Sequence, residues 1–147
     1  MARKAGKKMR GTKDFRPMDM KAYLIDDRFW KNKMEVVRTK MIPYQWKALN
    51  DLVEDAAPSH CVKNFRIAAG MEKGDFQGCV FQDSDLAKWL EAVGYTLAWK
   101  KDRELEQMAD EVIAVIEKAQ QPDGYLDTYY IINGLEKGGQ NLRDNHE

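Results

Sequence analysis

The sequence predicts a mainly α fold built from helical hairpins, and three observations predict it. Leu86, Leu90, Val93 and Leu97 recur at helical spacing, and Leu105, Met108, Val112, Val115, Ile116 and Ala119 form a second stripe. Only a short link after Trp99 separates the two. Amphipathic helices joined so closely pack as antiparallel neighbours. Burying each of these aliphatic side chains stabilises by roughly 1.5–3 kcal/mol before entropy is subtracted, so each stripe needs a partner and the other supplies it.

Taken in order, the chain opens with Arg3, Lys4, Lys7, Lys8, Arg10, Lys13 and Arg16 set against Asp14 alone within the first sixteen residues. Residues 1–20 are expected to be a solvated, disordered leader and residues 21–147 the domain. No second basic cluster with interleaved aromatics follows, which argues against nucleic acid as a partner. After an extended run over residues 21–25, Asp26 or Asp27 caps a helix opening near Phe29, with Trp30, Met34, Val37 and Met41 on one face. Pro43 is expected to break or kink that helix near Ile42 and to open a second one, which carries Trp46, Leu49, Leu52 and Val53 on a common face.

Between Ala56 and Gln82, Pro58, Gly70, Gly74 and Gly78 mark a long connection without regular periodicity. Gly74-Asp75-Phe76-Gln77-Gly78 lacks the Gly-Lys-Ser/Thr ending of a phosphate loop, so nucleotide binding is not indicated. Asp83 or Ser84 caps the first strong helix and Asp102 the second. That second helix runs into Gln121-Pro122-Asp123-Gly124, a turn in which Pro122 presets φ and Asp123 and Gly124 suit the next two positions. An extended, aromatic-rich run through Tyr125, Tyr129 and Tyr130 is expected to follow.

Composition narrows the function. The 147 residues are 44% hydrophobic, 33% charged and 10% aromatic, which is globular rather than disordered. Lysine plus arginine and aspartate plus glutamate both number 24, so no net charge favours a polyanion or an acidic membrane. No run approaches the roughly 18 apolar residues of a membrane span. The leader has no apolar core of an export signal, and Cys61 and Cys79 lie outside any Cys-x-x-Cys pair. Two reduced, packed thiols in a cytoplasmic protein are expected, with no metal held by this chain.

Few residues carry chemistry. Asp83 and Asp85 supply the pair of carboxylates that glycoside hydrolysis ordinarily needs, although helix capping explains them as well. Trp89 lies beside the apolar stripe and is expected in the core, and His60 at the surface. Tyr125, Tyr129 and Tyr130 beside Asp123 and Asp127 offer ring faces with carboxylates, the mixture a polyhydroxylated ligand requires; packing is the simpler use of those rings. His146-Glu147 resembles the opening of a His-Glu-x-x-His zinc motif, whose second histidine would lie past the last residue.

Several motifs in order resemble the amino-terminal part of glycoside hydrolase family 127, which contains β-L-arabinofuranosidases. They are Phe29-Trp30, Ile42-Pro43-Tyr44-Gln45, Asn64-Phe65-Arg66, Phe81 through Asp85, Lys88 through Ala92, Gln120 through Tyr130 and Asn141 through Glu147. The resemblance implies the N-terminal portion of an (α/α)6 barrel, incomplete in this chain. It implies a retaining glycosidase whose cysteine nucleophile, glutamates and zinc ligands lie downstream, so that no catalytic residue falls here. On the same resemblance His146 alone is expected to contact the sugar; Asp85, Asp123 and Tyr125 are expected to line the cleft, chosen for their chemistry and their place in the matching motifs. The fragment is then inactive alone, with a carbohydrate as ligand once completed by a C-terminal piece. The alternative is a non-catalytic helical interaction module that self-associates.

Overall fold

The computed structural model describes residues 19–22, 24–138 and 140. Among them the chain is mainly helical, without strands. Asp27 opens α1 (Arg28–Val36) by accepting the Trp30 amide at 3.0 Å. A π-helical turn over Val37–Met41 then leads into α2 (Ile42–Leu49). The proline-induced break expected near Ile42 is therefore a widened turn within one continuous helical path. The Ile42 amide reaches back to the Val37 carbonyl, and the extra residue per turn gives room for the Pro43 ring, which has no N–H to donate.

The apolar face expected on α1 is covered only in part. Met34 and Val37 are half-buried, but Trp30 and Met41 remain 57% and 53% exposed, because no described element packs over that side. The end of α2 also differs from expectation. It stops at Leu49, and Leu52 is exposed in the loop that follows.

The long irregular connection expected over residues 56–82 contains a helix, α3 (Cys61–Ala68), which buries Cys61, Val62, Asn64 and Phe65. Asp51 prepares its start, accepting the Ser59 and His60 amides at 2.6 and 2.8 Å. His60 is half-buried rather than free at the surface, with Nδ1 3.2 Å from Asp51 Oδ2. Asn64 ties the segment after α3 back onto it, donating to the Gln77 carbonyl at 2.8 Å and accepting the Gln77 amide at 3.2 Å.

A short 3-10 turn over Val80–Gln82 feeds α4 (Asp83–Trp99), and α5 (Arg103–Ala119) returns beside it after a link spanning residues 100–102. Asp102 caps α5 as expected, accepting the Leu105 amide at 3.1 Å, an arrangement worth about 1 kcal/mol. Its other oxygen accepts from Arg38 at 2.9 Å, and Arg38 in turn grips Glu35, which also takes Lys100. The Arg38 and Lys100 hydrogen bonds hold the Glu35 carboxyl down at about 2. This network joins the α1 side to the α4–α5 hairpin.

One core connects α2 to α5: Ile42, Leu49, Cys61, Val62, Phe65, Leu86, Trp89, Val93, Leu105, Ala109, Val112 and Ala119. Trp89 lies at its centre, as the stripe on α4 suggests, with its ring 4.7 Å from that of Trp46 and its Nε1–H donated to the Ile42 carbonyl at 3.2 Å. Both cysteines are free thiols; Cys61 is buried, whereas Cys79 is exposed rather than packed. Among the described residues no helix is long and apolar enough to cross a membrane.

The final helix corrects another expectation. The run after Leu126 is not extended but forms α6 (Thr128–Asn133), because Asp127 accepts the Tyr129 and Tyr130 amides at 2.9 and 3.3 Å. Gly134 ends it at φ 119°, a backbone conformation natural only to glycine.

Candidate functional site

Two features carry the residues of interest. The first is a groove of about 570 Å³ between α2 and α4, closed at one side by the loop over residues 57–59. Ile42, Leu49 and Trp89 line it with apolar surface, while Gln45, Gln82, Asp85 and Lys88 add polar groups. A mostly apolar concavity with a few polar groups is the usual make-up of a small-ligand site. Gln82 is fixed at this lip, accepting the Cys79 amide at 3.0 Å and donating to Ser59 Oγ at 3.3 Å. Gly78 backs that side chain at φ 101°, where a β-carbon would collide with Gln82 Oε1. Asp85 is exposed in the first turn of α4, 3.4 Å from Lys88 Nζ, and Lys88 also donates to Ser84 Oγ at 3.1 Å.

The second feature is the turn between α5 and α6. The Gly124 amide bonds the Gln121 carbonyl at 2.9 Å, with Pro122 and Asp123 at the turn's centre, and the Gln121 amide bonds the Tyr125 carbonyl at 2.9 Å. Asp123 folds over the turn and accepts the Tyr125 amide at 3.0 Å. Gln120 clamps the same loop by donating to the Gly124 carbonyl at 2.9 Å. Tyr125 is half-buried with its hydroxyl against Gly138, where a β-carbon would stand only 3.1 Å away.

The tyrosines after this turn use their rings for packing. Tyr130 is 2% exposed, and Tyr129 meets Tyr130 and Phe76 edge to face at 4.9 and 5.0 Å. The ring faces in question thus form part of the α6 contact with its neighbours.

Asp83 and Asp85 do not act as a pair. Asp85 faces the groove and Lys88, whereas Asp83 turns towards α6 and accepts both the amide and the hydroxyl of Thr128 at 2.7 Å. Neither carboxylate makes the helix-capping bond expected of Asp83. Burial raises the Asp83 carboxyl above its ordinary range, opposed by the two Thr128 hydrogen bonds and assisted by the nearby charge of Asp127.

The structure therefore sets Asp85 at the groove, and Asp123 and Tyr125 on the turn between α5 and α6, outside the groove's lining; His146 lies outside the described residues. Sequence alone does not point to Gln45 and Gln82 as groove residues, because a glutamine has no titratable signature and only the fold sets both along the groove. For a metal the chain offers little. Among the described residues, no three His, Cys, Asp or Glu side chains converge, and burial, with the charge of Asp83 adding to it, pushes the Cys61 thiol up to about 12. A thiol so reluctant to ionise is a poor nucleophile.

Comparison with known proteins adds an independent finding. Residues 24–147 match the family model of the β-L-arabinofuranosidase GH127 catalytic domain. A non-reducing end β-L-arabinofuranosidase of Bifidobacterium longum subsp. longum is 42% identical over 120 residues, covering 74% of this chain and 18% of that protein. The crystal structure of a GH127 β-L-arabinofuranosidase from Geobacillus stearothermophilus T6 shares 60% identity and superposes with a TM-score of 0.82, over 84% of this chain and 20% of its own. A second GH127 structure, a β-arabinofuranosidase, shares 26% identity at a TM-score of 0.66, over 79% of this chain and 17% of its own. The chain thus spans no more than 20% of the length of these relatives.

Proposed function

The chain belongs to the GH127 catalytic-domain family, and from that premise we propose that it is the N-terminal part of a retaining glycosidase acting on terminal L-arabinofuranosyl or related sugars. The observation that carries this reading is the 60% identity to a GH127 β-L-arabinofuranosidase across helices that superpose at a TM-score of 0.82. In it, this chain contributes one wall of the sugar pocket through Asp85, Asp123, Tyr125 and His146. Gln45 and Gln82 extend that wall along the groove. A carboxylate and two amides suit the hydroxyl groups of a sugar, which both donate and accept.

In this reading the cysteine nucleophile, its glutamates and the zinc are supplied by a downstream piece; among the described residues no cluster of His, Cys, Asp or Glu side chains converges to hold a metal. The two free thiols, Cys61 and Cys79, favour a cytoplasmic setting. Alone, the chain is expected to release no measurable L-arabinose from a β-L-arabinofuranoside. Appreciable turnover by the purified 147-residue protein would refute its inactivity.

A second reading has its own observation. Phe29 and Trp30 meet edge to face at 5.1 Å and are 58% and 57% exposed, so the uncovered side of α1 could be buried by a second copy of a non-catalytic helical module. That reading expects a dimer in sedimentation which Trp30→Glu dissociates. A wild-type monomer at all concentrations counts against it.

A further inference from the structure

We propose that Asp83 is a positioning residue for the sugar pocket, holding the turn that carries Asp123 and Tyr125 in register with the start of α4, where Asp85 stands. The geometry is specific. Its carboxylate accepts the Thr128 amide through Oδ2 and the Thr128 hydroxyl through Oδ1, both at 2.7 Å, across 45 residues of sequence. Thr128 is wholly buried, so water cannot substitute for either bond. Carboxylate acceptors give hydrogen bonds stronger than neutral ones, and removing one partner of a buried pair costs more than the bond itself contributes.

The position of Thr128 makes this a latch on the turn rather than a bond inside one helix. Residues 121–127 are pinned at their start by Ala119, fully buried at the end of α5, and at their end by Thr128. Asp127 takes the next two amides of α6, so the first three amides of that helix are met by two carboxylates, one local and one distant. The local one fixes the helix start; Asp83 ties that start directly to the first turn of α4. Asp85, two residues along the same first turn, is thereby set at a constant separation from Asp123 and Tyr125.

The pocket role rests on the sugar-binding reading above, whereas the latch is read without any sugar. Amide hydrogen exchange on the purified chain tests it. Asp83→Ala is expected to accelerate exchange at the amides of Gly124, Tyr125 and residues 128–130 by about tenfold or more, against less than about twofold at Val112 and Val115 in α5. Thr128→Ser keeps both donors and should preserve wild-type exchange in the turn; Thr128→Val keeps the amide alone and should fall between.

Unchanged exchange in Asp83→Ala, an equal rise in α5, or a Thr128→Ser variant as loose as Thr128→Val would each overturn the proposal. If Asp83→Ala does not fold, the comparison of the two Thr128 variants decides. A separate titration of the wild type with L-arabinose, followed by amide shifts at Asp123 and Tyr125, reports on the pocket. A loosened turn with no arabinose shifts in the wild type would sink the pocket reading and leave the latch standing.

Discussion

Replacing Trp89 by alanine is expected to destabilise the fold by about 3–5 kcal/mol, the range for truncating a large buried aromatic. Trp89 is 4% exposed, stacks on Trp46 at 4.7 Å and donates its indole N–H to the Ile42 carbonyl. It therefore links α4 to the point where the π turn gives way to α2, and its loss opens a cavity between them. The same ring floors the groove beside Asp85, so stability and site geometry depend on one side chain. Trp89→Phe separates the two contributions: it keeps an aromatic ring against Trp46 and removes the donor, for an expected loss of about 1–2 kcal/mol. Urea unfolding followed by circular dichroism measures both. A Trp89→Ala loss under about 1.5 kcal/mol would show that the core does not close around this residue.

How far the sequence reveals this fold depends on whether the deciding contacts are local. The α4–α5 hairpin is legible because each helix has 17 residues with a sustained apolar stripe, and because Asp102 caps by a bond to an amide three residues on. Helix α3 is not legible. It has eight residues, its buried set includes the polar Asn64, and the partner that satisfies Asn64 is the backbone of Gln77, on a segment no periodicity points to. Tyr129, Tyr130, Ile131 and Ile132 favour strand by intrinsic preference, yet they lie in α6, where capping by Asp127 and the distant Asp83 outweighs a weak propensity.

The stripe on α1 fails for the opposite reason. The periodicity of Trp30, Met34, Val37 and Met41 is real, but its covering surface is absent from the described chain. A stripe predicts that a partner is needed, not that the partner is nearby.

The candidate site divides along the same line. The turn at Pro122 and Gly124 follows from local turn chemistry, and Gly124 takes φ 93°, which glycine adopts without steric cost. The groove does not, because Gln45 and Gln82 come to line it only through the packing of α2 against α4. Nor do the separate duties of Asp83 and Asp85. Two acidic residues at a helix start read alike in sequence, and only Thr128, 45 residues on, distinguishes them.

Alkaline pH is expected to unfold the protein through Cys61. An unfolded cysteine starts to ionise near 9.0, whereas burial and the Asp83 charge hold the folded thiol protonated up to about 12. Because the folded value is the higher one, the contribution of this group is intact below 9.0 and is lost as pH rises through about 12. Since a tenfold change in an ionisation constant corresponds to about 1.4 kcal/mol, wild-type stability should fall by roughly 2 kcal/mol more than that of Cys61→Ala between about pH 9 and pH 11. The comparison of slopes removes the tyrosines and lysines that titrate in the same window, and it is insensitive to the cavity the variant leaves at every pH. Parallel slopes would mean that the folded thiol ionises as readily as a free one. It would then regain the nucleophilic character that its burial and its donation to the Gln82 carbonyl at 3.3 Å deny it. The assignment of the family's cysteine chemistry to the downstream piece would have to be withdrawn with it.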